Sequence, residues 1–565
     1  MGRRTVRRER AANRGRRRTG APAPHRPSAA RVLFVLAHPG DAFAVTGSEL
    51  HRALAEPDRP VAVVCLTASE QADRDRLLRL LGRDGPWHRR TEVLPDGASL
   101  DVFSLADAPR VEVCFTGPGA PVPPGAPDRL VDRAAALLAR FTPGTVCTLD
   151  PDPEHSGWSE RDGAVRPDHP DHRAVAEALL EAVHRATADG AAPVAVECFR
   201  PTGPCTAGPA RLPAVVRYPG RRVWLTRGAE GRLTAYAALG GAVARWTERR
   251  PGGPDWGPRT LLRTPRLLPV LAVAQAPPGW VHLVSLRRTP VPGGGATVEV
   301  MHAVQYQSGR PPGAWRSLGN PNGTGPDKGR EVGVPAVVVD ADGCAHVYVR
   351  NFGRGVSSRS QRPDGSWTPW HDLQGSDVQD GLVALLDDAG HPALFAPSAE
   401  GVLCWRRDAA GELRASPGAR MPLVAAPGTA LAALASGPGR ITVYGCDARD
   451  RMLYACRTDG AATAVGTAGG AGVTALRTAV DGYDCTVLLQ RSAEGVTAVG
   501  AYPTEQEHAG LWWERTGGTG TREPAAAVDA FGRLVVASLD GDGRLAVARQ
   551  DGSLPGLVLG GWATA

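Results

Sequence analysis

The fold of the first part of the chain is decided by one stretch, RVLFVLAHPGDA, residues 31–42. It opens with an uninterrupted apolar run, the pattern of a strand that is buried on both faces of a sheet. His38 and Asp41 follow directly, around a Pro-Gly turn. In α/β proteins, ligands bind at the carboxyl ends of the strands, which is where these two side chains are expected. The stretch therefore predicts an α/β domain with a ligand site after its first strand.

Strand-like and helix-like segments alternate along the chain from residue 31 to residue 200. Continuous apolar strands that alternate with helices predict a mostly parallel sheet covered by helices on both faces. The predicted strands are 31–37, 61–67, 111–116, 145–150 and 194–199, and the predicted helices are 42–55, 70–82, 127–141 and 170–187.

The character of the sequence changes at about residue 211. Helical periodicity disappears, and short apolar strands alternate with turns rich in Gly, Pro, Asp and Asn. A repeat that contains several short strands indicates a β-propeller, and the repeat recurs seven times. Residues 211–565 are therefore predicted to form an all-β domain of seven blades. The seven copies of the recurring strand are 221–228, 280–286, 344–351, 391–398, 440–447, 484–491 and 532–540.

Charge is concentrated at the start of the chain. The whole chain carries +7, but residues 1–30 hold ten Arg and one Glu, so the remainder carries −2. Such a tail without a hydrophobic face is expected to be disordered, and a near-neutral body argues against nucleic acid as a partner. No apolar run approaches the roughly 18 residues of a membrane span, and no apolar stretch follows the paired arginines of the tail. We therefore expect a cytoplasmic location and no transmembrane segment.

The ten cysteines include no C-x-x-C pair. Several lie in predicted strands, where they are expected to be small buried hydrophobic residues rather than disulfide partners or zinc ligands. This usage fits a reducing compartment.

A second polar motif, Asp168-His169-Pro170-Asp171-His172, precedes the helix predicted at 170–187. It follows a predicted strand, so its side chains and those of 38–41 are expected at one edge of the sheet. Taken singly, these residues are typical of helix caps and solvated loops. Taken together, imidazoles and carboxylates on two neighbouring loops predict a hydrolytic metal site with an open coordination position.

The two motifs together resemble those of the PIG-L/LmbE family of zinc-dependent N-deacetylases, over roughly residues 30–200. The resemblance implies a Rossmann-like α/β fold and hydrolysis of the N-acetyl group of N-acetylglucosaminyl or related amides. It also implies one divalent metal ion, Zn²⁺, bound by His38, Asp41 and His172. Asp171 matches the aspartate that orients a histidine, and His169 matches the histidine that supports the oxyanion. The C-terminal repeats are similar to sugar-binding lectin propellers.

One position departs from the family pattern. Gly40 stands where the family's A-H-P-D-D motif has the aspartate that serves as general base. A general base typically contributes about 10²–10⁴-fold to the rate. Glu154, His155 and Asp168, on the loop before the second motif, are candidates to replace it. Three hypotheses follow: an active deacetylase with a relocated base, an inactive deacetylase-like protein that binds glycans through its propeller, and an interaction scaffold. Exposed tryptophans such as Trp256, Trp367 or Trp512 are candidate sugar platforms.

Overall fold

The structure is a computed structural model. It describes residues 30–42, 50–56, 58–67, 70–82, 85–116, 127–152, 170–200, 215–219, 223–276, 279–291, 295–323, 325, 328–407, 413–415, 420–460, 462–470, 472–492 and 494–565. The predicted disordered tail lies outside the described residues apart from Ala30.

The N-terminal domain is an eight-stranded mixed sheet with helices. Its strands are β1 (Val32–Leu36), β2 (Val61–Cys65), β3 (Trp87–Val93), β4 (Ser99–Leu105), β5 (Ala108–Thr116), β6 (Thr145–Leu149), β7 (Ala195–Arg200) and β8 (Val215–Val216). The described helices are α1 (His51–Ala55), α2 (Gln71–Gly82), α3 (Pro127–Phe141) and α4 (Pro170–Ala188).

The strand order is β3-β4-β5-β2-β1-β6-β7-β8. The five strands from β5 to β7 are parallel, and every residue of β1, β2 and β6 is buried, as the continuous apolar runs predict. Three antiparallel strands at the edges were not expected. The hairpin of β3 and β4 was missed because β3 (WHRRTEV) is largely exposed and has no apolar alternation. The pairing of β8 with β7 extends this sheet past the predicted domain boundary at residue 210.

The described residues after 219 form seven four-stranded antiparallel sheets, which confirms the predicted seven-bladed propeller. The blades are, in order, β9 (Leu225–Arg227), β10 (Leu233–Leu239), β11 (Ala242–Thr247) and β12 (Thr260–Leu262); β13 (Ala272–Gln275), β14 (Val281–Pro290), β15 (Ala296–Val304) and β16 (Arg316–Ser317); β17 (Ala336–Val339), β18 (Ala345–Arg350), β19 (Val356–Ser360) and β20 (His371–Asp372); β21 (Val383–Leu386), β22 (Pro392–Pro397), β23 (Val402–Arg407) and β24 (Leu413–Ala415); β25 (Ala432–Gly437), β26 (Arg440–Cys446), β27 (Leu453–Arg457) and β28 (Ala462–Ala464); β29 (Thr474–Val480), β30 (Tyr483–Arg491), β31 (Val496–Pro503) and β32 (Glu514–Thr519); and β33 (Ala525–Val528), β34 (Leu534–Leu539), β35 (Leu545–Arg549) and β36 (Ala563–Thr564).

The first strand of each blade is innermost, and β33 contacts β9 to close the ring. The recurring apolar strand is the second strand in six blades. In the first blade the segment 221–228 contains the innermost strand β9 instead, so the predicted repeat was one strand out of phase there. Asp-x-x-Gly turns join the first two strands of several blades. At Asp340 and Asp529 the carboxylate accepts backbone N–H groups two and four residues further on, which fixes the turn.

The α/β domain docks on one face of the propeller. This docking face carries the turns between the second and third strands of the blades and the connections between blades. Gly240 N–H donates to the carbonyl of Val194 at 2.8 Å, and the Thr145 hydroxyl donates to the carbonyl of Gly541 at 3.2 Å. The opposite face carries the turns between first and second strands, and the connections between third and fourth strands.

The nine described cysteines are free and buried, as expected of small hydrophobic residues. Among the described helices, none has the length and apolar content required to cross a membrane.

Candidate metal centre

The first part of the site is the turn that ends β1. The apolar strand continues to Ala37, and the chain then turns, so that Asp41 N–H donates to the carbonyl of His38 at 3.1 Å. The His38 N–H in turn donates to Oδ2 of Asp41 at 2.7 Å. These reciprocal bonds hold the Asp41 carboxylate, which is 1% exposed, beside the imidazole of His38.

The second part is the first turn of α4. Pro170 begins this helix, and His172 points inward and is 3% exposed. Its Nε2 lies 2.9 Å from Oδ1 of Asp41 and 3.4 Å from Nδ1 of His38. The distance from His38 Nδ1 to Asp41 Oδ2 is 3.9 Å. The three side chains predicted as ligands therefore converge, with one donor atom from each within 4.8 Å of the others.

This donor set fits a divalent metal ion. Two imidazole nitrogens and one carboxylate oxygen are ligands of catalytic zinc sites, where three protein groups leave one position open. At zinc–ligand distances of about 2.0–2.1 Å, ligands at the corners of a tetrahedron lie about 3.3 Å apart. The distances of 2.9, 3.4 and 3.9 Å lie around that value.

Asp171 contacts the other side of the His38 ring. Its Oδ2 lies 3.2 Å from Nε2 of His38, while Nδ1 faces Asp41 and His172. A carboxylate at Nε2 favours a proton on that nitrogen, which leaves Nδ1 as the lone-pair donor. The family resemblance implied that Asp171 orients a histidine, and the histidine that it contacts is His38.

Four predicted residues cannot be placed. His169, Asp168, Glu154 and His155 lie outside the described residues. Gly40 is in the described turn between His38 and Asp41, where it contributes no side-chain donor or acceptor.

The sequence analysis missed a second cluster, at the carboxyl end of β6. Asp150 is fully buried, and its Oδ2 accepts from Nε of Arg200 at 2.9 Å. Oδ1 of Asp152 accepts from Nη1 of Arg288 at 2.8 Å, although Arg288 belongs to the second propeller blade. Burial raises the pKa of Asp152. No pattern in the sequence predicts a partner from a different domain.

The cluster continues into the propeller through Arg217, which follows β8. Nη1 of Arg217 lies 2.9 Å from Oδ2 of Asp380, which precedes the fourth blade, and its Nε lies 3.4 Å from Oδ2 of Asp150. Nε of Arg350 lies 3.5 Å from Oδ1 of Asp380. Although burial acts to raise it, the pKa of Asp380 is held below its usual range by Arg350, Arg217 and Arg200. The cluster is a buried ionic link between the domains.

Residues 33–183 match the protein family described as PIG-L, GlcNAc-PI de-N-acetylase. The matched segment contains most of β1, the first fourteen residues of α4 and all three converging side chains. The resemblance of the N-terminal domain to this family is thus confirmed. No curated protein sequence matches the chain.

Solved structures similar to this chain include lectins. The BP39L lectin from Burkholderia pseudomallei shares 14% identity at a TM-score of 0.44, over 59% of this chain and 96% of that one. The six-bladed fucose-binding lectin of Aleuria aurantia shares 15% identity at a TM-score of 0.33, over 52% of this chain and 94% of that one. The Hadza microbial sialidase Hz136 shares 12% identity at a TM-score of 0.34, over 58% and 64%. The blade count of the present chain follows from its own seven sheets.

The tryptophans considered as sugar platforms differ in exposure. Trp256 is buried, and Trp367 packs with its ring 5.1 Å from that of His302. Trp512 is 88% exposed, in the connection between β31 and β32 on the face opposite the α/β domain.

Proposed function

We propose that the chain is a zinc-dependent amidohydrolase that removes acetyl groups from N-acetylglucosaminyl-type or related amides. The observation that carries this proposal is the convergence of His38, Asp41 and His172 at the carboxyl edge of the sheet. The segment that matches the PIG-L family supports the substrate class. The free, buried cysteines support a reducing, cytoplasmic setting.

In this proposal, Nδ1 of His38, a carboxylate oxygen of Asp41 and Nε2 of His172 hold the ion. Zinc would supply a Lewis acid for the amide carbonyl. Asp171 accepts the Nε2 proton of His38 and so keeps its Nδ1 available as a ligand. His169 is proposed to stabilise the oxyanion, as its position in the family motif implies.

The amine that leaves must receive a proton, and an acceptor must first take one from the attacking water. Gly40 supplies no carboxylate for this task. We assign it to one of Glu154, His155 and Asp168, which precede α4 in the sequence.

A second candidate function is favoured by Gly40 itself. Without a relocated base, the domain would hold metal but turn over amides slowly, and glycan binding by the propeller would be the main activity. One experiment separates the two functions. Amine release from N-acetylglucosamine derivatives is measured for the wild type, for Gly40→Asp, and for alanine variants of Glu154, His155 and Asp168, with zinc content determined in parallel.

If a relocated base operates, the wild type is active, Gly40→Asp adds little, and one alanine variant abolishes turnover. If the base is simply missing, the wild type is inactive and Gly40→Asp raises the rate by about 10²-fold or more. Inactivity of both, with zinc bound in both, contradicts the deacetylase proposal and leaves the binding function. Absence of bound zinc contradicts the metal assignment.

A further inference from the structure

A polar cavity of about 360 Å³ lies at the third blade, and none of its lining residues belongs to the metal centre. Its walls come from the turn between β18 and β19 and from the connections on either side of that blade. The residues that matter for its chemistry are Asn322, Lys328, Asn351, Phe352, Asp372 and Gln374. Both connections and the turn belong to the docking face, so the cavity opens on the same face of the propeller that carries the α/β domain.

Hydrogen bonds fix the walls of this cavity. The buried Asn351 donates from Nδ2 to Oγ of Ser357 at 3.2 Å and to Oδ1 of Asp372 at 3.3 Å, and its Oδ1 accepts from Gly355 N–H at 2.9 Å. Asn322 accepts the Phe352 N–H at 2.9 Å. The turn and both connections are therefore tied to one another, which shapes the cavity before any ligand arrives.

The backbone around the cavity adopts conformations that side chains disfavour. Arg354 has a φ of 58° and Gln374 a φ of 62°, and Gly375, next in the chain, has a φ of 106°. Non-glycine residues in the left-handed region cost free energy and are concentrated at binding sites. Gln374 lines the cavity, and Arg354 lies between the lining residues Gly353 and Gly355, so each strained residue is part of a segment that forms a wall.

The groups that face the cavity are chemically mixed. Phe352 is 40% exposed, with Nζ of Lys328 located 5.2 Å from its ring centre. Lys328 is the single lysine of the chain, among 65 basic residues. It adds one positive charge, and the exposed carboxylate of Asp372 adds one negative charge. A phosphate would be repelled by the carboxylate, and a metal cation by the ammonium group.

A neutral polyol satisfies the same groups. Each hydroxyl both donates and accepts, so neighbouring hydroxyls pair with a carboxylate, an ammonium group and the amide of Gln374. The C–H face of a sugar ring packs on an exposed aromatic ring. We propose that this cavity binds a neutral sugar residue of a glycan, with Phe352 as the platform and Asp372 and Lys328 as hydrogen-bond partners.

This inference locates the site at which the propeller would bind glycans, and it rests on the second candidate function. The connections that form the cavity also reach the ionic link. Val332, on the Lys328 side, accepts from Arg217 at 3.2 Å, and Asp380 follows Gln374 in the next connection. A glycan held here would lie on the face against which the metal-binding domain is fixed.

The test uses the full chain and an array of neutral oligosaccharides that includes N-acetylglucosamine oligomers. The site variants are Phe352→Ala and Asp372→Asn. Phe531→Ala is the matched control, because Phe531 is also exposed and has a cation, Arg533, 5.3 Å from its ring, but lies on the opposite face. Trp512→Ala and Asp41→Ala test the exposed tryptophan and the metal centre as alternative sites.

We expect both site variants to weaken glycan binding by about tenfold or more, a change of about 1.4 kcal/mol, with Phe531→Ala and Trp512→Ala unchanged. Binding that survives in the site variants, or that is lost in Trp512→Ala or Asp41→Ala instead, overturns the location but leaves glycan binding intact. If the wild type binds no neutral glycan, both the location and the glycan-binding function are overturned. Thermal stabilisation by inorganic phosphate that is lost in Lys328→Gln would overturn the neutral ligand class. The amine-release assay judges the deacetylase separately.

Discussion

Replacement of Asp171 by asparagine should weaken zinc binding without disturbing the fold. Asp171 does not belong to the converging triad, but its Oδ2 lies 3.2 Å from Nε2 of His38. Loss of such a partner typically costs 10–100-fold in metal affinity, about 1.4–2.7 kcal/mol. The Asp171 side chain is 41% exposed, so solvent screens part of its charge. We therefore expect Asp171→Asn to lie at the lower end, with a dissociation constant for zinc about tenfold higher.

The chain offers a matched control for this variant. Helices α3 and α4 both begin with Pro-Asp, so Asp128 occupies the same position in α3 as Asp171 does in α4. Asp128→Asn removes the same charge from a helix N-terminus, but the Asp128 carboxylate lies 3.9 Å from Nη2 of Arg185 instead of beside a residue of the triad. Zinc affinity is measured by competition with a fluorescent chelator, and the melting temperature checks the fold. Equal affinities for Asp171→Asn, Asp128→Asn and the wild type would refute the assignment of Asp171 as the group that orients His38.

Two further predictions concern stability. Asp380→Asn should lower the free energy of unfolding by about 3 kcal/mol, because it leaves Arg217 and Arg350 buried beside a neutral amide. Asp377 lies in the same connection but is exposed, so Asp377→Asn should change the free energy of unfolding little. Urea denaturation measures both variants, and similar losses of stability would contradict the ionic link. Burial lowers the pKa of His282 to about 4 and that of His302 to about 3, and their ring nitrogens lie 3.1 Å apart. Both histidines then bind protons more readily in the unfolded chain, so stability should fall as pH drops from about 6.5 to about 4, by about 1.4 kcal/mol per pH unit for each histidine. His302→Gln should reduce this dependence of stability on pH, which urea denaturation at several pH values measures. An unchanged dependence would exclude the histidine pair as its cause.

The sequence predicts the elements whose burial is continuous. Every residue of the strands β1, β2 and β6 is buried, and all of them are apolar apart from Thr145 and Thr148 of β6. Helix α3 has the predicted bounds because Pro127 starts it and its apolar residues repeat at helical spacing. The β3–β4 hairpin was missed because an edge strand with exposed arginines lacks this signal. Its turn at Asp96 and Gly97, followed by the alternating SLDVFSL, was the available clue. Seven blades were predicted because an apolar strand next to a turn recurs seven times, as the second strand of six blades and as the first strand of the first blade.

The metal triad was predictable because both motifs lie next to elements that the sequence defines well. His38 and Asp41 follow a buried strand, and His172 lies in the first turn of a helix that Pro170 begins. The ionic link was not predictable, since Asp150, Arg217 and Asp380 are separated by long stretches of chain and meet only after the propeller docks. No pattern in the sequence around an aspartate predicts that an arginine far away in the chain will neutralise its carboxylate.

The docking also decides which form of the protein can be tested. One hydrophobic cluster includes Leu137 of α3 and Leu179 of α4 together with Val270 and Val284 at the second blade. Removal of the propeller would expose this apolar surface, and it would leave the buried Asp152 without Arg288. An isolated N-terminal domain would then lose α4 packing, and with it the placement of His172 opposite Asp41. Weak zinc binding by such a fragment would report on the missing propeller, so metal content and amine release have to be measured on the whole chain.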